Sequence, residues 1–215
     1  MAGSPTRAAT PEATPLNHPI LEQSFAVIDR EIGEHSFTPP EYAIVRRIIH
    51  STADFEFKDL VRFSPGAIEG AIAGLRRSVP IVVDVSMVKQ GITTLVGKTF
   101  GNPIISAVEQ ANLALPGKTR TETGMLHCWQ QYPQAIYVIG NAPTALMALC
   151  DCWQSEPYPP VVIAAPVGFI SVIESKAALS QLPVPQIRVE GRKGGSPVAA
   201  AILNALLVLA WENQN

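Results

Sequence analysis

The stretch "IYVIGNAPTALMALCDCW", residues 136–153, decides the fold class because it predicts a strand, a turn and a helix in succession. Its first four residues are continuously apolar and mostly β-branched, a pattern typical of a strand that is buried on both faces. Gly140 and Asn141 then favour a turn, and Pro143 suits the first turn of a helix. Strands buried on both faces are typical of parallel sheets covered by helices, so this stretch predicts an α/β protein.

Four other short apolar runs have the same character, and each is bounded by Pro, Gly or Asn. They are "PIVVDVSM" (80–87), "NPIISAV" (102–108), "VVIAAPVG" (161–168) and "PQIRVEG" (185–191). Further helical patterns begin at residues 172 and 196. This alternation predicts a doubly wound, mainly parallel five-stranded sheet with helices on both faces.

Helices are also predicted ahead of the sheet. "ILEQSFAVIDREIG" (20–33) spaces its apolar residues at helical intervals, and a second helix is expected from Pro39 and Pro40. A third follows, with Ser64 as the expected N-cap and Pro65 at its first position. The predicted architecture is therefore an α/β sheet with additional N-terminal helices.

Length and composition limit the possible functions. The 215 residues suffice for one ordinary domain, and we predict a disordered tail over 1–17 and a single domain over 18–215. Only 16% of the residues are charged and 47% are hydrophobic, which favours a homo-oligomer that covers part of the surface. A net charge of −2 indicates neither nucleic acid nor membrane as a partner. We found no signal peptide pattern and no membrane-length apolar run, and therefore expect a soluble, cytoplasmic protein.

The three cysteines do not predict a disulfide framework or a metal site. Their number is odd, and no second Cys or His pair accompanies Cys150 and Cys152 at zinc spacing. We interpret them as small apolar residues on a helix.

Several turns that lead into helices are candidate anion sites. They are "FSPGAIE" (63–69), "GNAPTAL" (140–146), "GFISVIES" (168–175) and "GRKGGSPVAAA" (191–201). The first amides of a helix lack intrahelical partners and lie at the positive end of its dipole, so such turns suit anionic groups. Plain helix capping is the alternative for each turn, but the set, with Arg188, Arg192 and Lys193 beside the last, favours a polyanionic ligand. None is a phosphate loop.

His50, in "RRIIHSTADFEF" (46–57), is the candidate acid–base residue. A helix from Pro40 would place it at the edge of a buried stripe formed by Tyr42, Val45, Ile48 and Ile49. The nearby Arg46 and Arg47 would lower its pKa, whereas a bound polycarboxylate would raise it. His50 is therefore a candidate proton donor that an anionic substrate activates, or else a helix-end histidine without a chemical role.

Seven motifs that follow one another along residues 18–210 resemble the precorrin-8X methylmutase family. They are "EQSFAVIDREI", "RRIIHSTADFEF", "RFSPGAI", "PIVVDVSMVKQGI", "YVIGNAPTAL", "APVGFISVIESKAAL" and "RVEGRKGGSPVAAAILNAL". The resemblance implies a flavodoxin-like fold, a homodimer and an isomerase of cobalamin biosynthesis. Its substrate would be precorrin-8X or cobalt-precorrin-8, a corrin precursor with several carboxylates, and its product hydrogenobyrinate or cobyrinate. It also implies no added cofactor, since any cobalt would belong to the substrate.

The resemblance assigns roles to individual residues. His50 matches the catalytic histidine and would protonate a ring nitrogen, which eases the shift of a methyl group from carbon eleven to carbon twelve. Ser24, Arg47 and Arg120 match substrate contacts, although Arg120 could instead be a solvated loop charge. From helix-entry chemistry we add the candidate substrate contacts Thr52, Asn141, Thr144, Lys193, Gly194 and Ser196. Asp84 ends a predicted strand and is either functional or a structural cap.

Two other functions are compatible with parts of this sequence. A non-enzymatic tetrapyrrole carrier would use the same pocket but would not need the acid. A flavodoxin-like nucleotide binder is disfavoured because the phosphate loop is missing.

Overall fold

A six-stranded mixed sheet lies at the centre of the protein, in a computed structural model that describes residues 16, 18–154, 158–159 and 161–212. The strands are β1 (Val61–Phe63), β2 (Ile81–Val83), β3 (Ile104–Ser106), β4 (Ile136–Ile139), β5 (Val162–Ala164) and β6 (Gln186–Val189). Their spatial order is β1-β6-β5-β4-β2-β3. Neighbouring strands are parallel except β1 and β6, which pair antiparallel with Val61 opposite Val189. The fold is therefore α/β, as predicted.

The five predicted strands are β2 to β6, and the prediction of a five-stranded sheet was wrong by one strand. Residues 61–63 form the additional edge strand β1. Three residues carry too little periodicity to predict a strand, so residues 61–63, which precede the expected cap Ser64, were assigned to no element.

Helices precede the sheet and connect its strands. Those described are α1 (Pro19–Glu31), α2 (Pro39–Thr52), α3 (Phe57–Leu60), α4 (Ala67–Arg76), α5 (Ser86–Lys98), α6 (Arg120–Gln131), α7 (Pro143–Cys152), α8 (Val172–Ser180) and α9 (Ser196–Glu212). The sequence did not predict α3, α5 or α6. Two glycines and two threonines weaken the helical preference of α5, and Gly124 weakens that of α6. The predicted tail, residues 1–17, lies outside the described residues except for Leu16.

Ser64 does not cap α4, contrary to the prediction. Its backbone N–H donates to the carbonyl of Gln186 at 2.9 Å, and its hydroxyl accepts from the Gln186 N–H at 2.7 Å. These bonds extend the pairing of β1 with β6. The helix therefore begins at Ala67, two residues after the predicted first position, with Gly66 as the N-cap at a φ of 75°.

The sheet separates two hydrophobic cores, because successive residues of a strand point to opposite faces. In β4, Ile136 and Val138 face the core formed with α1, α2, α4, α5 and α9, whereas Tyr137 and Ile139 face the core with α6 and α7. The central helix α9 packs against α2, α4 and α5 and is buried around much of its circumference. Within the described residues, no helix combines the length and apolarity that a membrane span requires.

Gly124 allows α6 to contact the backbone of the short 3₁₀ turn at Ala107–Glu109. A Cβ atom at Gly124 would lie 1.8 Å from the carbonyl oxygen of Ala107, a distance that backbone atoms cannot accommodate without moving. By contrast, a Cβ atom at Gly97, in the last turn of α5, would meet no atom within 4 Å.

We predict that Gly124→Ala lowers the free energy of unfolding by about 2–3 kcal/mol, because the methyl group forces the helix away from the turn. Gly97→Ala is the matched control and should raise the free energy of unfolding by about 0.5–1 kcal/mol through helix propensity. Urea unfolding of both variants measures the difference. Equal stability of the two variants would show that the contact at Gly124 is not tight in solution.

Candidate active site

The helix that carries His50 is fixed at both ends by local interactions. At its start, the Glu41 carboxylate accepts hydrogen bonds from the N–H and the hydroxyl of Thr38, each at 2.8 Å. At its end, Ala53 adopts a left-handed conformation with a φ of 53°. The predicted buried stripe is confirmed at Val45, Ile48 and Ile49, whereas Tyr42 is half-buried and Ile44 takes its place in the core.

His50 lies in the last turn of α2 with an exposed side chain. Its ring meets Phe25 of α1 edge-on, with centroids 5.7 Å apart and an interplanar angle of 80°. Partial burial and, secondly, the charge of Arg47 lower the pKa of His50 below its usual value. The imidazole is therefore mostly neutral near pH 7, as a base that can gain a proton when negative charge approaches.

The Phe25 ring also contacts the two arginines of α2. The Arg46 guanidinium lies 4.3 Å from the ring centroid and forms an ion pair with Asp29 at 3.0 Å. The Arg47 guanidinium lies 5.8 Å from the same centroid, beside a cleft between α1, α2 and α9. Burial lowers the pKa of Arg47, although an arginine remains charged at any physiological pH. Ser24 precedes Phe25 and donates its hydroxyl to the carbonyl of Ile20 at 3.0 Å.

Lys193 connects the loop between β6 and α9 to the segment that follows His50. Its Nζ lies 2.6 Å from Asp54 Oδ2 and 2.6 Å from Glu56 Oε2. This contact lowers the pKa of the Asp54 carboxyl group. The predicted contacts Thr52, Gly194 and Ser196 belong to the same two segments, so the structure brings these four residues to one region. The ammonium group of Lys193 already has two protein carboxylates as partners, a pairing that the sequence did not predict.

The buried carboxylate of Asp84 organises the predicted anion turn after β4. Its Oδ2 accepts from the N–H groups of Asn141 and Ala142 at 2.6 and 2.8 Å, and its Oδ1 accepts from Gly140 at 3.1 Å. The N–H of Val85 also donates to Oδ1, at 2.9 Å. Burial raises the pKa of Asp84, and the four amides oppose that shift by stabilising the carboxylate. The anion that these amides bind is thus a side chain of the protein itself, and Asp84 caps the turn.

The first turns of α6 and α7 lie side by side at this edge of the sheet. The hydroxyls of Thr119, the N-cap of α6, and Thr144 are 3.2 Å apart. Arg120 is exposed and is the first residue of α6. The exposed Asn141 precedes α7 in the same region.

The candidate residues therefore form three groups. The first group lies at Phe25 and consists of its sequence neighbour Ser24 with Arg47 and His50. The second consists of Thr52 at the end of α2 and of Lys193, Gly194 and Ser196 in the loop and helix start that Lys193 joins to it. The third, at the starts of α6 and α7, consists of Arg120, Asn141 and Thr144. The last two groups lie near the carboxyl ends of parallel strands, since Lys193 follows β6 and Asn141 follows β4. Ligands of such sheets bind at this edge.

Exposed apolar residues lie at the same edge and were not predicted as part of the site. Phe169 and Ile170, in the loop after β5, are 86% and 83% exposed. The guanidinium of Arg192, in the loop after β6, lies 5.8 Å from the Phe169 ring centroid. The sequence signal for them is the pair of large apolar residues inside the turn "GFISVIES", a turn that was interpreted only as a candidate anion site.

Comparisons with known proteins agree on one family. The model of the precorrin-8X methylmutase family matches residues 19–209. A cobalt-precorrin-8 methylmutase of Synechocystis sp. is 58% identical over 92% of this chain and 98% of its own length, and one of Leptospira interrogans is 37% identical over 93% and 96%. A crystal structure of a precorrin-8X methyl mutase from Thermus thermophilus superposes with a TM-score of 0.83 and 40% identity, covering 91% of this chain and 99% of that one.

We predict that Asp84→Ala lowers the free energy of unfolding by about 3 kcal/mol or more. The change leaves the buried N–H groups of Gly140 and Ala142 without their acceptor, at about 1–3 kcal/mol each. Urea unfolding measures the loss, with Asp151→Ala on the exposed side of α7 as the control. Equal stability of the two variants would contradict a structural role for Asp84.

We also predict that the pKa of His50 in the free protein lies below the ordinary value of 6.5 and rises in Arg47→Gln. Removing a nearby positive charge makes it easier to protonate the imidazole. An NMR titration of the histidine ring protons tests this. The control, Arg77→Gln, removes the same charge from the C-cap of α4 and should leave the titration of His50 unchanged. An unchanged pKa in Arg47→Gln would exclude Arg47 as a cause of the shift.

Proposed function

The chain belongs to the precorrin-8X methylmutase family, and on that basis we propose that His50 is the general acid of its reaction. The protein is an isomerase of cobalamin biosynthesis that acts on precorrin-8X. The proposed reaction moves a methyl group from carbon eleven to carbon twelve of the macrocycle, giving hydrogenobyrinate, or cobyrinate when the substrate holds cobalt. The single observation that carries the proposal is the exposed imidazole of His50 in the last turn of α2, four residues before Asp54, which Lys193 of the loop after β6 contacts.

The environment of His50 supports a role as a donor that the substrate activates. In the free protein the pKa of its ring is held down by partial burial and by Arg47. The carboxylate arms of the substrate would partly neutralise that positive charge and attract a proton to the ring. His50 would then transfer the proton to a ring nitrogen of the macrocycle, which withdraws electrons from the conjugated system and lowers the barrier to migration. General acid catalysis of this kind contributes about 100- to 10,000-fold in rate.

The remaining acceleration would come from holding the macrocycle in one conformation. We propose that Arg47 and Arg120 bind carboxylate arms, since a guanidinium can donate two parallel hydrogen bonds to a carboxylate. Ser24 would be a further contact, beside Phe25. The exposed Phe169 and Ile170 would pack on the apolar face of the ring.

The six other candidates remain proposals with different support. Thr144 adjoins the first turn of α6, where Arg120 begins, and Asn141 is exposed nearby. Around the loop after β6, the proposed contacts are Thr52, Lys193, Gly194 and Ser196. Because Lys193 is already paired with two carboxylates, its contact with the substrate would be an exchange of partners.

Several broader features also remain proposals. Without β1, the spatial order of the parallel strands is β3-β2-β4-β5-β6. If these five strands are numbered 1 to 5 along the chain, the order is 2-1-3-4-5, which supports a flavodoxin-like description. The sparsely charged surface supports a homodimer. We propose a cytoplasmic enzyme that needs no added cofactor, with cobalt entering only as part of the substrate.

We predict that His50→Ala lowers the turnover of precorrin-8X about 100- to 10,000-fold while hydrogenobyrinate still binds. The absorption spectrum of the corrin product reports both turnover and binding. The substrate should be offered with and without cobalt.

His35→Ala is the matched control, since it removes another exposed histidine that precedes the same helix. It should turn over like the wild type. Wild-type rates in His50→Ala would refute the acid role. Product binding without conversion by any form, including the wild type, would favour a tetrapyrrole carrier instead.

A further inference from the structure

Lys176 is the most deeply buried charged side chain outside the groups described above, among the residues that the structure describes. It lies in α8, at the end of the motif "PVGFISVIESK", and is only 3% exposed. Lysines are rarely buried this deeply without a carboxylate partner. Within the described part of the chain, its Nζ instead donates to two backbone carbonyls, those of Gly191 and Lys193, each at 2.8 Å.

Both acceptors belong to the loop between β6 and α9. The loop contains Gly191, Gly194 and Gly195, all at positive φ, so its backbone has little intrinsic preference for one shape. On one side the loop is bound to the end of β5, since the N–H of Gly195 donates to the carbonyl of Ala165 at 2.7 Å. On the other side Lys176 is its anchor.

The same loop also contacts the segment that follows the histidine helix, through Lys193. The carbonyl of Lys193 accepts from Lys176, while its side chain contacts Asp54 and Glu56. Asp54 follows His50 by four residues, just past the end of α2. A continuous chain of contacts thus runs from α8 to the segment beside the proposed acid.

We propose that Lys176 is a positioning residue, which fixes the β6–α9 loop so that Lys193 holds the end of the histidine helix. The catalytic consequence of this inference rests on the proposed function, whereas the physical connection between Lys176 and the end of α2 does not depend on it. A lysine suits the task because one ammonium group can donate to two converging carbonyls, which an apolar side chain would leave unpaired. Burial lowers the pKa of Lys176 to about 8, so the charged form still predominates at pH 7.

Hydrogen exchange of the full-length protein tests the connection without any substrate. Lys176→Met, which keeps the length of the side chain but removes its donors, should speed amide exchange in residues 190–195 and also in 50–56. Lys98→Met, at the exposed end of α5, is the control and should change neither segment. Faster exchange confined to 190–195, or unchanged exchange in both segments, would overturn the proposal. If Lys176→Met loses helix content by circular dichroism, Lys176→Gln replaces it; this shorter, uncharged side chain retains a donor, so exchange should become faster in both segments but to a smaller extent, and the same two results would overturn the proposal.

A double-mutant cycle tests the catalytic consequence. Lys176→Met and Lys193→Met should each lower kcat/KM about 10- to 100-fold, the scale of a misplaced catalytic group. The kcat/KM of the double variant should be at most about twofold below that of the less active single variant, because both residues act through one connection. If the fold losses in kcat/KM of the two single variants multiply in the double variant, the proposal is overturned. A third result separates the two proposals. If exchange becomes faster in Lys176→Met as expected, but the wild-type protein does not convert precorrin-8X, the proposed function is refuted and the physical connection stands.

Discussion

The carboxylate of Asp84 is the interaction on which the arrangement of the carboxyl edge depends. It lies between β2 and β4, where the order of the parallel strands changes direction and where doubly wound proteins commonly bind their ligands. In this protein the crevice is occupied by a buried side chain that accepts hydrogen bonds from four amides. A nucleotide phosphate could not use the same amides without displacing it. The substrate contacts that we propose consequently lie further out, at helix ends and in loops.

The pKa of the proposed acid, His50, is lowered by two moderate effects and without deep burial. His50 is exposed, and it is adjusted by partial desolvation and one arginine rather than by a carboxylate partner. Arg46 is closer to Phe25 but is paired with Asp29, so much of its charge is compensated locally. The histidine can therefore respond to charge that arrives with a ligand, because the causes of its lowered pKa among the described residues are burial and Arg47 and do not include a carboxylate.

The sequence predicted the elements that have strong local signals and missed those that depend on distant partners. Continuous β-branched runs located β2 to β6, and proline and glycine punctuation located α2 and α7. The edge strand β1 was missed because its three residues become a strand only by pairing with β6, more than a hundred positions away. The candidates added from helix-entry chemistry were each chosen from one local segment, so the pairing of Lys193 with Asp54 and Glu56, and the burial of Lys176, lay outside what local pattern could predict. Asp84 was noticed, but the sequence could not decide between its roles, since its partners come from the turn after another strand.

The two edge strands of the sheet are each only three residues long. On β1, the exposed Arg62 forms an ion pair with Glu190 at 3.0 Å, and Pro103 immediately precedes β3. A short edge strand that carries a charged residue or adjoins a proline is a poor template for pairing with another strand. Natural proteins use such edge strands to prevent the sheets of two molecules from joining. The protein should therefore tolerate high concentration without β-aggregation. Any symmetric assembly of two copies would have to be built from helices and loops, and the central sheet would end within each subunit.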